Sequence, residues 1–270
     1  MKFFAGFSLA VLIAFTAYRT RSLSRSGAIA AVMVGTVIFG IGGWQRAVLL
    51  LTFFITSSAL TRSFKKRKTG LNEKFSKGGQ RDAGQVFGNG GLATLFAGLT
   101  LLYPNDPRLW MAFAASLAAA NADTWATELG VLNPHPPRLI THPTRVVDQG
   151  TSGGISLVGT LAALAGAALI GLLAGLLSPD GNLWVTLTIV TLAGLLGSLF
   201  DSLLGATVQA IYRCPSCNKD TERYPQHTCG TQTLQIRGWK WMDNDWVNFS
   251  CGAIAVFVAL ILLFFLQIKF

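Results

Sequence analysis

Eighteen of the 22 Lys and Arg residues of this 270-residue chain fall in four short stretches, and these alternate with stretches that hold almost none. That alternation leaves few folds open. About 20 apolar residues in one α-helix match the roughly 30 Å hydrocarbon core of a bilayer, and inside that core only helices and closed barrels satisfy their own backbone groups. The uncharged segments run Phe3 to Tyr18, Ser26 to Gln45, Ala47 to Thr61, Ala83 to Asn105, Leu109 to Ala122, Ile155 to Leu177, Leu183 to Phe200 and Phe249 to Ile268. Most approach or exceed spanning length. Ala47 to Thr61 extends to Phe64 if Arg62 snorkels, and Leu109 to Ala122 reaches it only by carrying Asp123 and Glu128 inside. The pattern predicts an all-α fold: a polytopic helical membrane protein of about eight transmembrane helices, one integral membrane domain over residues 1–270.

The cations also orient it. The first loop holds Arg19, Arg21 and Arg25, and the third holds Arg62, Lys65, Lys66, Arg67, Lys68, Lys74, Lys77 and Arg81. Arg138 and Arg145 lie in the fifth, and Arg213, Lys219, Arg223, Arg237 and Lys240 in the seventh, against only Lys2, Arg46, Arg108 and Lys269 on the other side. Because cytoplasmic loops collect Lys and Arg, the odd loops are expected in the cytoplasm and both termini outside, in a multi-pass protein of the cell membrane. The start, Met1 to Ala17, also has the look of a signal peptide, but cleavage there would leave three arginines outside and break the alternation.

Composition agrees: 51% of residues are hydrophobic and 13% charged, against about 25% charged in a typical soluble chain. The 29 glycines suit close helix packing. A net charge of +10 invites a nucleic-acid partner, but the excess sits in short loops where topology requires it, so none is expected.

Against this apolar background, acids stand out. Asp123 lies within Asn121-Ala-Asp123-Thr124-Trp125-Ala-Thr127-Glu128, and Asp201 within Ser198-Leu-Phe-Asp201-Ser202. At ~1.5 Å per residue they lie about 21 Å and about 27 Å from the outer ends of their segments, in the inner part of the membrane. A carboxylate there needs water, a cation or a donor, and is a functional hypothesis by default; the bland alternative is an interhelical hydrogen bond. Asn121, Thr124 and Glu128 share one helical stripe, as do Ser202, Gly205 and Gln209. Asp123 lies well off the first stripe, so it and Glu128 meet one cation only if the helix is irregular there; otherwise they serve different roles. Oxygen donors of this kind suit magnesium with substrate phosphates. A proton relay in a transporter would use the same residues.

Two glycine-rich segments, Gly84-Gln85-Val-Phe-Gly88-Asn89-Gly90-Gly91 and Gly150-Thr151-Ser152-Gly153-Gly154, follow basic loops and open the fourth and sixth spans. Helix starts with exposed N–H groups and a positive dipole end make a phosphate cradle, with Arg81, Arg138 and Arg145 nearby to pair with phosphate oxygens. Tight helix packing by glycine is the competing explanation. Neither segment matches a P-loop or a dinucleotide fingerprint.

The seventh loop, residues 212–246, carries Cys214, Cys217, His227 and Cys229. Four soft ligands resemble half a zinc ribbon closed by an atypical His-x-Cys, and predict structural zinc in a cytoplasmic insertion, since a persistent disulfide is not expected there. Cys251 reads as a packing residue, and the proline-flanked His135 and His142 as loop residues. Trp239, Trp241 and Trp246 have the character of a membrane interface. Asn244 and Asn248 face one way as the last helix begins, and Asp243 or Asn244 caps it.

Taken in order, Gly84-Gln85 through Gly91, Asn121 through Gly130, Gly150 through Gly154, Asp201 through Thr207, and Asn244 with Asn248 resemble the integral membrane family that includes plant phytyl-phosphate kinase and transmembrane protein 19. The resemblance covers about Arg81 to Phe249. It implies transfer of a phosphoryl group from a nucleoside triphosphate to an isoprenoid monophosphate, a membrane lipid, at the cytoplasmic face. The family's polar core maps onto Asn89, Asn121, Asp123, Glu128, Ser152, Asp201, Ser202, Asn244 and Asn248, with Thr124, Arg138, Thr151 and Gln209 as further binding candidates. Asp123, Glu128 and Asp201 are expected to hold magnesium. The rivals are a secondary transporter of an anionic or lipid-phosphate solute, a prenol kinase or cytidylyltransferase, and a scaffold whose Cys/His loop binds a partner.

Overall fold

The computed structural model describes residues 2–64, 74, 79–179 and 182–266. Lys65, Lys66, Arg67, Lys68 and Lys77 of the third basic stretch, and Lys269, lie outside the described residues. Among the described residues eight helices form: α1 (Lys2–Arg19), α2 (Arg25–Gly40), α3 (Gly43–Ser63), α4 (Ala83–Leu99), α5 (Pro107–Gly130), α6 (Leu157–Leu176), α7 (Leu183–Thr207) and α8 (Asn244–Phe265). Their starts are written locally. Ser24, Asp82, Asp106, Ser156, Asn182 and Asp243 each turn a side-chain oxygen onto a first-turn N–H, satisfying a donor the helix cannot. Helices α6, α7 and α8 are long and apolar enough to cross a membrane, while α1 and α2 are shorter apolar helices.

Helix α5 occupies the middle, packed against α3, α4, α6, α7 and α8. Every residue from Leu109 to Ala122 is buried, half of them alanines. Its modest apolarity follows, because this helix faces protein on all sides and small residues let its neighbours approach. The outer helices show the same logic in reverse: Phe4, Phe15, Ile29, Leu161, Leu192 and Phe257 stay exposed, while α6 buries mostly Gly and Ala. Large side chains outside and small ones inside suit an apolar solvent.

Glycines set the closest approaches. A Cβ on Gly197 of α7 would lie 2.8 Å from the Cys251 carbonyl oxygen of α8 and 2.9 Å from Ala119 Cβ of α5, and one on Gly194 would lie 2.8 Å from Ala118 Cβ. Gly197→Leu is therefore expected to push α7 away from both neighbours and to cost about 1–3 kcal/mol. Thermal unfolding in detergent reads this; an unchanged midpoint would show that α7 packs less tightly.

The fold is mostly helical rather than all-α, because the fifth and seventh loops each form a small antiparallel sheet. The first has the order β2-β1-β3, from β1 (Arg138–Leu139), β2 (His142–Val146) and β3 (Gly154–Ile155). The second has the order β5-β4-β6, from β4 (Ile211–Cys214), β5 (Lys219–Thr221) and β6 (Leu234–Arg237). Pro134, Pro136, Pro137 and Pro143 forbid helix in the first, and paired strands satisfy the backbone instead. The odd-numbered loops meet at one end of the bundle: Arg81 pairs backbone with Ser22 and Ser24, Lys74 donates to the Gln149 carbonyl, and Ser152 donates to Gln209.

Candidate functional site

At that end α5 presents two polar faces. Asp123 and Glu128 are five residues apart, about 140° around a regular helix, and the structure separates them accordingly. On the α3 side, Asn121 is fully buried, its Oδ1 accepting from Thr56 at 3.2 Å and Ser57 at 3.3 Å, its amide donating to the Gly166 carbonyl at 2.8 Å. Trp125 donates to Thr56. Further along this face, Glu128 Oε1 accepts from Thr61 at 2.8 Å. The charge of Glu128 acts on Arg81, whose guanidinium donates to Ser58 and lies 5.5 Å and 5.7 Å from the Phe53 and Phe54 ring centroids. Burial pushes the Arg81 pKa down to about 10, with Glu128 opposing, which leaves it cationic at neutral pH.

On the other face, Asp123 comes within electrostatic reach of Asp201. The α5–α7 contact at Ala119 and Gly197 brings the helices together, and each aspartate lies four residues, about one turn, beyond that contact. Asp201 feels the charges of Asp123 and of Glu222, and the Cys251 thiol of α8 is within electrostatic reach of both aspartates. Asp201 Oδ2 is buried and accepts no hydrogen bond among the described residues. Such an oxygen, within electrostatic reach of two more carboxylates, needs a cation or a proton to offset its charge.

Glu222, which sequence reasoning missed, comes from the Cys/His loop. Its Oε1 accepts from Gln209 Nε2 at 3.0 Å, and Gln209 Oε1 accepts from Ser152. Only intramembrane acids stand out in the sequence; one glutamate in a polar loop carries no such signal. The hydroxyls of Thr56, Ser57, Ser58 and Thr61 were missed as well, although their cluster near the end of an apolar run was a usable sign.

The glycine segments are built differently from the helix-start cradles expected. Gly150 to Gly154 does not open a helix: it turns, with Thr151 N–H donating to Asp148 O and Gly154 N–H to Thr151 O, and enters β3, while α6 begins beyond its own cap, Ser156. At φ +84° Gly153 presses on Ala206 at the end of α7, which seats Ser152 against Gln209. The start of α4 is closed by the chain itself, since Asp82 and Gln85 form a reciprocal capping box. Gly88 lies inside α4, where a Cβ would meet the Asp245 carbonyl and, at 3.5 Å, Asn248 Cβ.

The remaining expected residues are spread around this end. Asn248 lies one turn before Cys251 on α8 and faces α4, whereas Asn244 begins α8 beside its cap Asp243. Asn89 donates to Gln85 O within α4, and Thr124 to Ala120 O within α5. Ser202 is half-buried next to Asp201. Arg138 is not gathered with them; it is exposed on β1 and donates to Pro143 O at 2.8 Å.

In the seventh loop, one ligand atom from each of Cys214, Cys217, His227 and Cys229 lies within 4.8 Å of the others, a cluster able to hold a metal. Cys214 and Cys229 sulfurs are 3.5 Å apart, and His227 Nδ1 is 3.3 Å from Cys229 Sγ. Hydrogen bonding with Thr231 and His227 draws the Cys229 thiol down to about 5, while contact with Cys229 and Cys214 holds that of Cys217 up at about 11.

Comparison with known proteins places this architecture among relatives. The family model described as integral membrane protein DUF92 matches residues 8–256. Protein PGR of Arabidopsis thaliana is 36% identical over 260 residues, covering 88% of each chain. An uncharacterized membrane protein of Methanocaldococcus jannaschii is 35% identical over 211 residues, covering 76% of this chain and 83% of its own. Protein VTE6, chloroplastic, of Arabidopsis thaliana is 26% identical over 249 residues, covering 89% of this chain and 65% of its own. No solved structure matches.

Proposed function

Because the chain belongs to the integral membrane family DUF92, we propose that it is a membrane-embedded kinase, transferring a phosphoryl group from a nucleoside triphosphate to an isoprenoid monophosphate at the cytoplasmic face. The observation that carries this is that Asp123 and Asp201, from two helices, lie within electrostatic reach of each other, with a buried Asp201 oxygen that no donor meets among the described residues. The resemblance to the family that includes plant phytyl-phosphate kinase supplies the reaction. The four basic stretches, whose loops meet at the carboxylate end, support its facing the cytoplasm.

An apolar cleft supports a lipid substrate. It is walled by α1 to α4 through residues such as Ala14, Val34, Leu50 and Phe54, and ends at Arg81, Gln85 and Asn89. An isoprenoid tail lies along such walls, with its phosphate drawn to Arg81 by charge-assisted hydrogen bonds. Magnesium bound at Asp123 and Asp201 would neutralise donor phosphate charge. The chain's own work is then positional: Ser152 and Gln209 fix the rim, Arg81 orients the acceptor phosphate, and Glu128 with Thr61 steadies Arg81 on the α3 face of α5. The acceptor phosphate is already ionised, so no strong general base is required. Zinc in the Cys/His cluster, a closed four-ligand set, acts structurally.

Purified protein with magnesium, labelled nucleotides and a panel of lipid monophosphates is expected to yield a lipid diphosphate, with Asp201→Asn as the blank. Thin-layer separation distinguishes it from a monophosphate made from a free prenol and from a nucleotidyl lipid. Absence of transfer from every nucleotide, with solute counterflow in proteoliposomes, would overturn the proposal in favour of transport.

A further inference from the structure

We infer that Trp239, Trp241 and Trp246 form a membrane-docking surface, which seats the Cys/His module on the phospholipid headgroup layer at the start of α8. The tryptophans of this chain sort by position. Of the seven, Trp110 is buried and Trp125 half-buried, and their indole N–H groups donate to Ala174 O and Thr56 Oγ1. The other five are exposed. Trp44 and Trp184 lie in the first turns of α3 and α7, which share one end of the bundle: Arg46 of α3 sits over the Trp110 ring, Trp110 reaches Ala174 of α6, and Gly175 abuts Leu183 of α7. Trp239, Trp241 and Trp246 lie at the opposite end, where α8 begins. Exposed indoles at helix ends suit the bilayer interface, which accepts the ring and gives the N–H a partner.

The three rings continue the lipid-facing stripe of α8, a helix long and apolar enough to cross a membrane. Phe257 and Phe264 lie 11 and 18 residues along from Trp246, within about 20° of it around a regular helix, and all three are exposed. From Trp246 to Phe265 the helix rises about 29 Å at ~1.5 Å per residue. That is close to the thickness of the hydrocarbon core, so Trp246 lies at its edge. There the aromatic row leaves the helix: Trp246 meets Trp241 edge-on at 6.2 Å between ring centroids, and Trp241 stacks on Trp239 at 5.5 Å. In the other direction Phe249, 5.9 Å from Trp246, leads into the span. Lys240, between the stacked pair in sequence, and the cap Asp243 are both exposed. Their charges fit headgroups and water rather than hydrocarbon.

The segment that carries the stacked pair is fixed to the bundle. Trp239 N–H donates to Val208 O, and Ala210 N–H to Met242 O, each at 2.8 Å. Gly238 has φ +80°, and any Cβ there would overlap the Gln209 carbonyl. Arg237 of β6 donates to the Ala206 carbonyl at 2.9 Å and the Gly205 carbonyl at 2.6 Å, placing a cation on the free carbonyls of the α7 C-terminus. Contact of the rings with lipid therefore holds the β5-β4-β6 sheet over the ends of α7 and α8. A contiguous exposed apolar patch marks a protein or membrane contact, and continuity with the α8 stripe selects the membrane. The surface serves the protein whatever reaction it performs.

The test uses the full-length protein in phosphatidylcholine vesicles. A phospholipid with a photoactivatable diazirine just below its glycerol is expected to label residues 238–246 of wild type, and one with the diazirine at the chain end to spare them. Bromines high on the acyl chains are expected to quench Trp239 and Trp241 more than bromines near the chain end. The signal of these two rings is the difference between wild type and Trp239→Phe/Trp241→Phe, in which the shallow-quenched component is lost. Phenylalanine keeps an aromatic ring at each position, circular dichroism and zinc content check the fold, and lipid labelling needs no variant. Absence of label on 238–246, with both rings quenched by aqueous acrylamide, would overturn the inference and leave the surface in water. Absence of label with protection from acrylamide would overturn it in favour of a second copy of the chain covering the rings. Stronger label from the chain-end probe would overturn the headgroup level and sink the segment into the hydrocarbon.

Discussion

Asp201→Asn and Asp123→Asn are each expected to reduce phosphoryl transfer by more than about 100-fold, without loss of membrane insertion. Groups that merely support a metal ligand already cost 10- to 100-fold when removed, and these side chains are the proposed ligands. Asparagine keeps the size of the side chain, so packing at the α5–α7 contact is retained. The apolar surfaces of α6, α7 and α8 that suit a bilayer are untouched. Asp201 is the sharper case, since its Oδ2 is buried with no donor among the described residues and charge removal relieves repulsion from Asp123 and Glu222. Asp201→Asn is thus expected to be at least as stable to heat as wild type in magnesium-free buffer, and to gain less when magnesium is added. Wild-type turnover in both variants would end the kinase assignment; a lower midpoint without magnesium would show that Asp201 has a structural partner instead.

Arg81→Met is expected to raise KM for the lipid phosphate by about 10- to 100-fold, with a smaller effect on the nucleotide. A hydrogen bond to a charged group contributes about 1.5–3 kcal/mol, and each 1.4 kcal/mol is a factor of ten. Methionine conserves contact with Phe53 and Phe54 but removes the cation at the end of the cleft. Arg81→Lys restores charge without the planar fork that fits phosphate, so partial recovery is expected. If KM rises for the nucleotide alone, Arg81 serves the donor and the tail lies elsewhere.

Much of the helical scaffold is legible in the chain, since uncharged runs bounded by Arg, Lys, Asp and Ser mark where helices can start and stop. Helix α5 shows the limit. Its break in apolarity at Asp123 is plain, and the five-residue interval already excludes a shared regular face with Glu128. Which neighbour each acid meets is not written there. Asn121 stands out as an intramembrane amide, yet Thr56, Ser57 and Gly166 take up its side chain, and they come from segments 45 or more residues away. The Gly150 to Gly154 segment has the composition of an anion cradle, but its neighbour Ala206 turns it into a docking edge for α7. The small sheets were hidden because two- to five-residue strands leave no measurable alternation.

From the order of its residues alone, this chain specifies its helical segments and which loops share a side, because apolar length and charge act locally on each piece as it meets the bilayer. The rotation of each helix about its own axis is different. It follows from how Gly194 and Gly197 seat α7 on Ala118 and Ala119 of α5, and that seating faces Asp123 toward Asp201 while turning Glu128 toward α3. The approach of Glu222 to Gln209 depends further on a folded loop whose strands, Arg237 and Cys/His cluster close onto α7. Contacts between distant segments exist only after packing, so the fold alone decided which polar groups came together.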